Sequence, residues 1–180
     1  PAYQGYLNDR CVTIAESLRG AGYRTLMSGK WHVGNAEGHR PRDRGFDRYF
    51  GLLDGASSYF ALDKGRLMLD DDAPYTPAGD DFYLTDAITE RAVGYLRQYG
   101  GQPQPFFLYT AYTAPHWPLH APAEEVAAYR GRYRLGWDEL RRQRHARQRE
   151  MGLVDPRWPL TPRDPAAPAW EDAPDKDELD

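Results

Sequence analysis

The stretch "VTIAESLRGAGYRTLMSGKWHVG" (residues 12–34) decides the fold class. Val12, Ile14, Ala15 and Leu18 recur at mostly helical spacing, and Gly20 or Gly22 closes the helix behind them. "YRTLMSG" then reads as a short strand running into a turn at Gly29. A helix and a strand joined by two or three residues are half of an α/β unit.

A second unit of the same kind follows. "DFYLTDAITERAVGYLRQYGG" (residues 81–101) is the clearest helix, with Ala87, Ile88, Val93, Tyr95 and Leu96 as its apolar side. Thr85 or Asp86 is the expected cap, Arg97 lies in the last turn, and Gly100 with Gly101 stops it. "FFLYTAY" (residues 106–112) is aromatic and β-branched, and it reads as a strand buried on both faces. Two helix–strand units make the chain α/β.

Residues 35–80 are rich in Gly, Asp and aromatics, which predicts loop and a small hairpin, with short strands at residues 59–62 and 66–69. Residues 137–152 are helical in composition and carry Arg141, Arg142, Arg144, Arg147 and Arg149. A solvated face explains these arginines better than a nucleic-acid helix, because no aromatic or small residues interleave to reach bases. From Asp155 onward the chain is dense in proline and acidic residues, a surface loop, linker or tail that builds no core alone. The expected division is a folded but partial domain over residues 1–154 and this segment over 155–180.

The chain has 180 residues, enough for one domain with a sizeable core. A net charge of −4 gives no argument for a polyanionic partner, so no nucleic acid is expected. No apolar run approaches the length of a membrane-spanning helix, so no membrane association is expected. The first ten residues have neither a basic region nor an apolar one, unlike a signal peptide. With no initiator Met and no closing element, the sequence reads as an internal piece of a larger protein. Location and oligomeric state stay open. Cys11 is the one cysteine, so no intramolecular disulfide forms.

The chemistry gathers at two loops. "SGKWHVG" is not a phosphate-binding P-loop: that motif needs glycine where Arg24 stands and Ser or Thr where Trp31 stands. Lys30 and His32 instead follow the carboxyl end of a predicted strand, where open α/β sheets bind ligands. "TAPHWPLHAP" (residues 113–122) follows the other strand in the same way. Pro115, Pro118 and Pro122 hold it extended, so His116 and His120 do not sit one turn apart on a zinc-binding helix. Two histidines and a lysine at two strand mouths suit an anionic tetrahedral group. The alternative makes Trp31 and Trp117 core residues whose polar neighbours merely cap loops.

Other candidates are weaker. Asp70, Asp71 and Asp72 lack the alternating spacing of a calcium loop and read as a solvated acidic turn. Cys11 begins a predicted helix without a nearby His and reads as a packed free thiol. Ser57 and Ser58 lack the flanks of a nucleophile elbow.

"AGYRTLMSGKWHVG", "RGFDRYFG", "FYLTDAITERAVGYLR" and "PFFLYTAYTAPHWPLHAP" resemble, in order, the blocks of the sulfatase family, close to bacterial arylsulfatases. The resemblance covers residues 12–128. It implies an alkaline-phosphatase-like α/β fold, incomplete here as part of the large N-terminal domain, and hydrolysis of a small-molecule sulfate ester. It also implies a formylglycine nucleophile, made from a Cys/Ser-x-Pro-x-Arg motif, and a calcium ion that orients the sulfate. By resemblance Lys30 binds sulfate oxygens and offsets transition-state charge. His32 hydrogen-bonds the formylglycine hydrate and takes its proton, and His116 binds sulfate or the ester oxygen and protonates the leaving alcohol. His120 matches no catalytic position of the family.

The departures are specific. No Cys/Ser-x-Pro-x-Arg occurs, since Cys11 is followed by Val12, Thr13 and Ile14. The paired aspartates of the family's first strand, its later Asp-Asn ligands and its second active-site lysine are also absent. The expectation is a chain that carries the sulfate-binding side of the site without nucleophile or metal ligands, and that does not hydrolyse sulfate esters alone. A phosphonate or phosphodiester hydrolase of the same superfamily, or a non-catalytic anion-binding homologue, is the alternative. "DGASSYFALDKGR" (residues 54–66) is a candidate for the alcohol-binding wall, with the alcohol unspecified.

Overall fold

The first helix is fixed by its start. In the computed structural model, which describes residues 4–176, the Thr13 hydroxyl accepts from the Glu16 amide at 3.0 Å. The Glu16 carboxylate accepts in turn from the Thr13 amide at 2.7 Å. This reciprocal capping box satisfies two donors that a helix start leaves open. It opens α1 (Ile14–Gly20), whose buried residue is Ala15. Val12 and Ile14, expected on the apolar side, are 75% and 63% exposed. Two turns of helix have room to press only one small side chain onto the sheet.

The chain then builds β1 (Arg24–Gly29), β2 (Arg48–Leu52), β3 (Met68–Asp70) and β4 (Ala73–Tyr75), followed by α2 (Leu84–Tyr99) and β5 (Phe106–Ala111). The sheet order is β4-β3-β2-β1-β5. β1 runs parallel to both neighbours, with Leu26 opposite Arg48 on β2 and Arg24 opposite Phe106 on β5. β3 and β4 add an antiparallel edge. The α/β expectation therefore holds, and β1 is the central strand.

Three elements differ from the sequence reading. β2 lies inside the region read as loop. The hairpin strands are residues 68–70 and 73–75, while residues 59–62 form an irregular turn. β5 is not buried on both faces: its residues are half-buried and Tyr109 is 48% exposed. Among the described residues it pairs on one side only, so its second edge and part of its faces lack cover.

α2 packs through Leu84, Ile88, Ala92, Tyr95 and Tyr99, spaced four or three residues apart along one side. Leu96, expected inward, is 44% exposed. Neither Thr85 nor Asp86 caps the helix. Tyr83 occupies the cap position without a side-chain bond, and the Leu84 amide donates to the Tyr59 carbonyl at 2.7 Å instead. A loop carbonyl thus does the work of the missing cap. Inside the interface the Ser28 hydroxyl donates to the Ile88 carbonyl at 2.7 Å, tying β1 to α2.

These elements belong to the first of two compact units, Pro1–His120 and Ala121–Asp180. The second holds α3 (Ala123–Tyr129), α4 (Gly136–Glu150) and a 3-10 turn, Trp170–Asp172. The proline-rich segment lies along α4. Arg141 donates to the Thr161 carbonyl at 2.7 Å, Arg149 to that of Pro156 at 2.8 Å, and the Trp137 indole to that of Pro168 at 3.1 Å. Two of the five arginines therefore hold chain rather than face water alone.

Candidate functional site

β1 delivers Lys30 to a defined place. The Lys30 amide donates to the Ala111 carbonyl at the end of β5, at 2.8 Å. One residue on, the chain changes neighbour: the Trp31 amide donates to Leu52 at 2.9 Å and the His32 amide to Leu53 at 3.0 Å. Lys30 therefore stands at the carboxyl mouth between β5 and β2. The approach is so close that only glycine fits before it. A Cβ on Gly29, at φ +130°, would lie 1.9 Å from the Ala111 carbonyl oxygen. Below it, the buried Tyr49 hydroxyl donates to the Gly29 carbonyl at 3.1 Å.

Trp31 anchors the turn. Its indole donates to the His39 carbonyl at 2.9 Å, and its ring meets Phe46 edge-on at 6.1 Å. Trp31 thus packs on the core as the structural alternative expects, but Trp117 is 73% exposed and is no core residue. His32 has a left-handed backbone, φ 58°, and an exposed side chain. Its ring lies directly over Gly55, where a Cβ would come within 2.5 Å of Cε1 and Nε2.

His116 is exposed on the loop that follows β5. Its amide donates to Thr113 at 2.9 Å, and its Nδ1 lies 2.6 Å from the Trp117 carbonyl oxygen. The carbonyl oxygen can only accept, so Nδ1 is the donor in this contact and Nε2 takes no part in it. The loop is held from across the sheet by Tyr59, whose hydroxyl donates to the His116 carbonyl at 2.8 Å. His120 packs rather than projects: its Nδ1 is 3.4 Å from the Tyr59 amide, and its ring meets those of Tyr59 and Phe60.

One loop therefore joins both strand mouths. Residues 53–63 carry Gly55 beneath His32 and Tyr59 beneath the His116 loop. Neither contact is visible in the sequence, because Gly55 and Tyr59 have no motif around them. The Gly in "DGASSYF" and the adjacent aromatic pair are the only local signals.

The acidic turn is not a cation cage. Asp70 pairs with Arg91 at 2.6 Å, Asp71 with Arg48 at 2.8 Å, and Asp72 with Arg42. Each carboxylate expected to face solvent has its own guanidinium. Among the described residues no three His, Cys, Asp or Glu side chains gather as metal ligands. Cys11 is exposed and precedes α1 by three residues, with its thiol donating to the Asn8 carbonyl at 3.2 Å. It neither starts the helix nor packs in the core.

Comparisons with known proteins bear on the family and the fold of the chain. A family model described as Sulfatase matches residues 2–156. An uncharacterized sulfatase of Schizosaccharomyces pombe is 38% identical over 167 residues, which is 86% of this chain and 30% of that protein. An arylsulfatase of Klebsiella aerogenes is 37% identical over 165 residues, 88% of this chain and 35% of that protein. The chain thus spans about a third of the length of the curated relatives it matches. The crystal structure of Ps i-CgsB in complex with k-i-k-neocarrahexaose superposes with a TM-score of 0.63 at 30% identity, covering 69% of this chain and 31% of that one. The shared architecture is the alkaline-phosphatase-like α/β fold, of which the described residues form part.

Proposed function

We propose a function from one premise: the chain belongs to the sulfatase family. The complete protein hydrolyses small-molecule sulfate esters to an alcohol and sulfate, and this chain supplies the side of the site that grips the anion. The observation that carries the reading is the 2.8 Å bond from the Lys30 amide to Ala111, which sets Lys30 beside the strand whose following loop bears His116.

In this reading the Lys30 ammonium binds sulfate oxygens and offsets the charge that grows on them as the ester bond breaks. In its cationic form His116 carries a proton on each ring nitrogen: Nδ1–H stays with the Trp117 carbonyl, and Nε2–H gives its proton to the departing alcohol oxygen, leaving the neutral imidazole. His32, seated over Gly55, is a second imidazole at the same strand mouths and exchanges a proton with the attacking group.

Calcium and formylglycine are implied by the family, and the residues of this chain do not fit either group. The acidic turn is neutralised by arginines, and Cys11 lacks the Pro and Arg of the precursor motif.

The test uses the complete protein with leaving alcohols of graded basicity. Lys30→Ala lowers kcat/KM by about a hundredfold or more for every ester. His116→Ala costs little with 4-nitrophenyl sulfate, whose alcohol leaves without a proton, and about a hundredfold or more with a sugar sulfate. A His116→Ala defect equal for both esters removes the general-acid assignment.

A further inference from the structure

The loop that joins the two strand mouths carries one feature the anion site leaves unused. Residues 53–63 are closed on themselves: the Ser57 hydroxyl accepts from the Asp63 amide at 2.9 Å, and the Ser58 amide donates to the Asp63 carboxylate at 2.9 Å. Leu53 and Tyr59 point into the core, at 1% and 2% exposure. The large apolar side chain this loop leaves in water is Phe60, at 43%.

A single exposed phenylalanine is ordinary on a protein surface. Phe60 differs in how it is held. Its ring lies 5.3 Å from that of Tyr83 and 5.6 Å from that of His120, tilted 31° and 34° to them. Tyr83 stands at the start of α2, and His120 ends the loop that bears His116. The ring is therefore braced by two neighbours, and Tyr59 beside it is bonded to the His116 carbonyl. An exposed flat ring, fixed on the loop whose Tyr59 holds the His116 carbonyl, suits stacking with a partner ring at low cost in conformational freedom.

We propose that Phe60, backed by Tyr83 and His120, is the platform on which the ring of the leaving alcohol stacks, so that this loop selects ring-bearing sulfate esters over acyclic ones. The proposal rests on the sulfate-ester reading of Lys30 and His116. Its shared chemistry is a flat ring with an apolar face, whether aryl or pyranose, next to the ester oxygen.

The experiment compares Phe60→Ala, Phe60→Leu and Phe60→Tyr in the complete protein, with 4-nitrophenyl sulfate, a pyranose 6-sulfate and ethyl sulfate. Phe60→Ala and Phe60→Leu raise KM for the ring-bearing esters about tenfold with little change in kcat. Phe60→Tyr restores it. Turnover of ethyl sulfate and inhibition by inorganic sulfate stay at the wild-type level. The larger change between aryl and pyranose identifies the ring. Equal effects on all three esters, or none on any, overturn the platform. If the unaltered protein turns over no sulfate ester, the hydrolase reading fails by itself. Calorimetric titration with 4-nitrophenyl sulfate then decides for Phe60: about tenfold weaker binding by Phe60→Ala supports the platform, and unchanged binding overturns it.

Discussion

The Tyr59 hydroxyl donates to the His116 carbonyl at 2.8 Å, which makes a residue of the loop after β2 the support of a histidine after β5. The phenol is buried, and burial pushes its pKa above the ordinary value. Tyr59→Phe removes this one bond and keeps the ring. Stability should fall by only about 1 kcal/mol, the net worth of one hydrogen bond. Under the proposed general-acid role of His116, turnover of esters with basic leaving alcohols should fall more than that of 4-nitrophenyl sulfate, because the loop bearing His116 is loosened. A uniform loss across esters would show that Tyr59 acts on folding alone.

Two glycines of the site should separate fold from function. Gly29→Ala places a Cβ 1.9 Å from the Ala111 carbonyl, which is backbone inside the parallel ladder and has nowhere to go. Its cost in thermal unfolding of the complete protein should exceed about 3 kcal/mol. For Gly55→Ala the three atoms nearest the new Cβ all belong to the His32 ring, an exposed side chain that swings aside. Stability should change by less than about 1 kcal/mol, while the displaced imidazole lowers kcat about a hundredfold. Equal melting losses in the two variants would overturn the distinction.

The legible and illegible parts of this chain divide by what carries the signal. β1 is readable because a helix with a glycine stop runs straight into an apolar run. That Lys30 and His32 follow β1 and His116 follows β5 is readable because their motifs sit just past apolar, strand-length runs. β2 escapes because "RYFGL" is five residues long between Asp47 and Asp54, in a stretch dense with turn formers. Its burial comes from pairing with β1 and β3, which no local window contains. The composition of β5 records an apolar strand, but not which of its faces these residues cover. Gly55 and Tyr59 matter only through side chains brought to them by the sheet. The pairing of Asp70, Asp71 and Asp72 with Arg91, Arg48 and Arg42 likewise arises from the tertiary fold.

Acid should find the weak point at α1. Arg44 is 5% exposed and donates to the Glu16 carboxylate at 2.8 Å, with further bonds to the Leu7 and Cys11 carbonyls. The Arg44 bond holds the Glu16 carboxyl below its ordinary value of 4.5, against the opposing effect of burial. A carboxylate with a depressed folded pKa contributes stability above its unfolded value, and that contribution is lost as pH falls through the folded one. The complete protein should therefore lose stability below pH 4.5 by a step that Glu16→Gln lacks. At neutral pH Glu16→Gln leaves a buried guanidinium short of its charge partner and should cost about 3 kcal/mol. Parallel acid titrations of both proteins, followed by circular dichroism, decide this. Identical acid limbs would show that Glu16 carries no part of the transition.

The last test concerns Asp71, which holds the start of β2 by two means at once. Its carboxylate accepts from Arg48 Nε at 2.8 Å and from the Tyr49 amide at 3.0 Å, and its own backbone is left-handed at φ 54°. Asparagine tolerates that backbone and keeps one acceptor, so Asp71→Asn should cost about 1 kcal/mol. Glycine frees the backbone but leaves Arg48 and the Tyr49 amide without the side-chain acceptor, so Asp71→Gly should cost about 2 kcal/mol. Alanine suffers both losses and should cost about 3 kcal/mol. The order Asn, Gly, Ala in urea midpoint is the prediction. If Gly and Ala unfold together, the left-handed turn contributes nothing and the carboxylate alone seats the strand. If Asn unfolds with Ala, charge on Arg48 is what matters, and the acidic turn is an ion-pair lock rather than a shaped backbone.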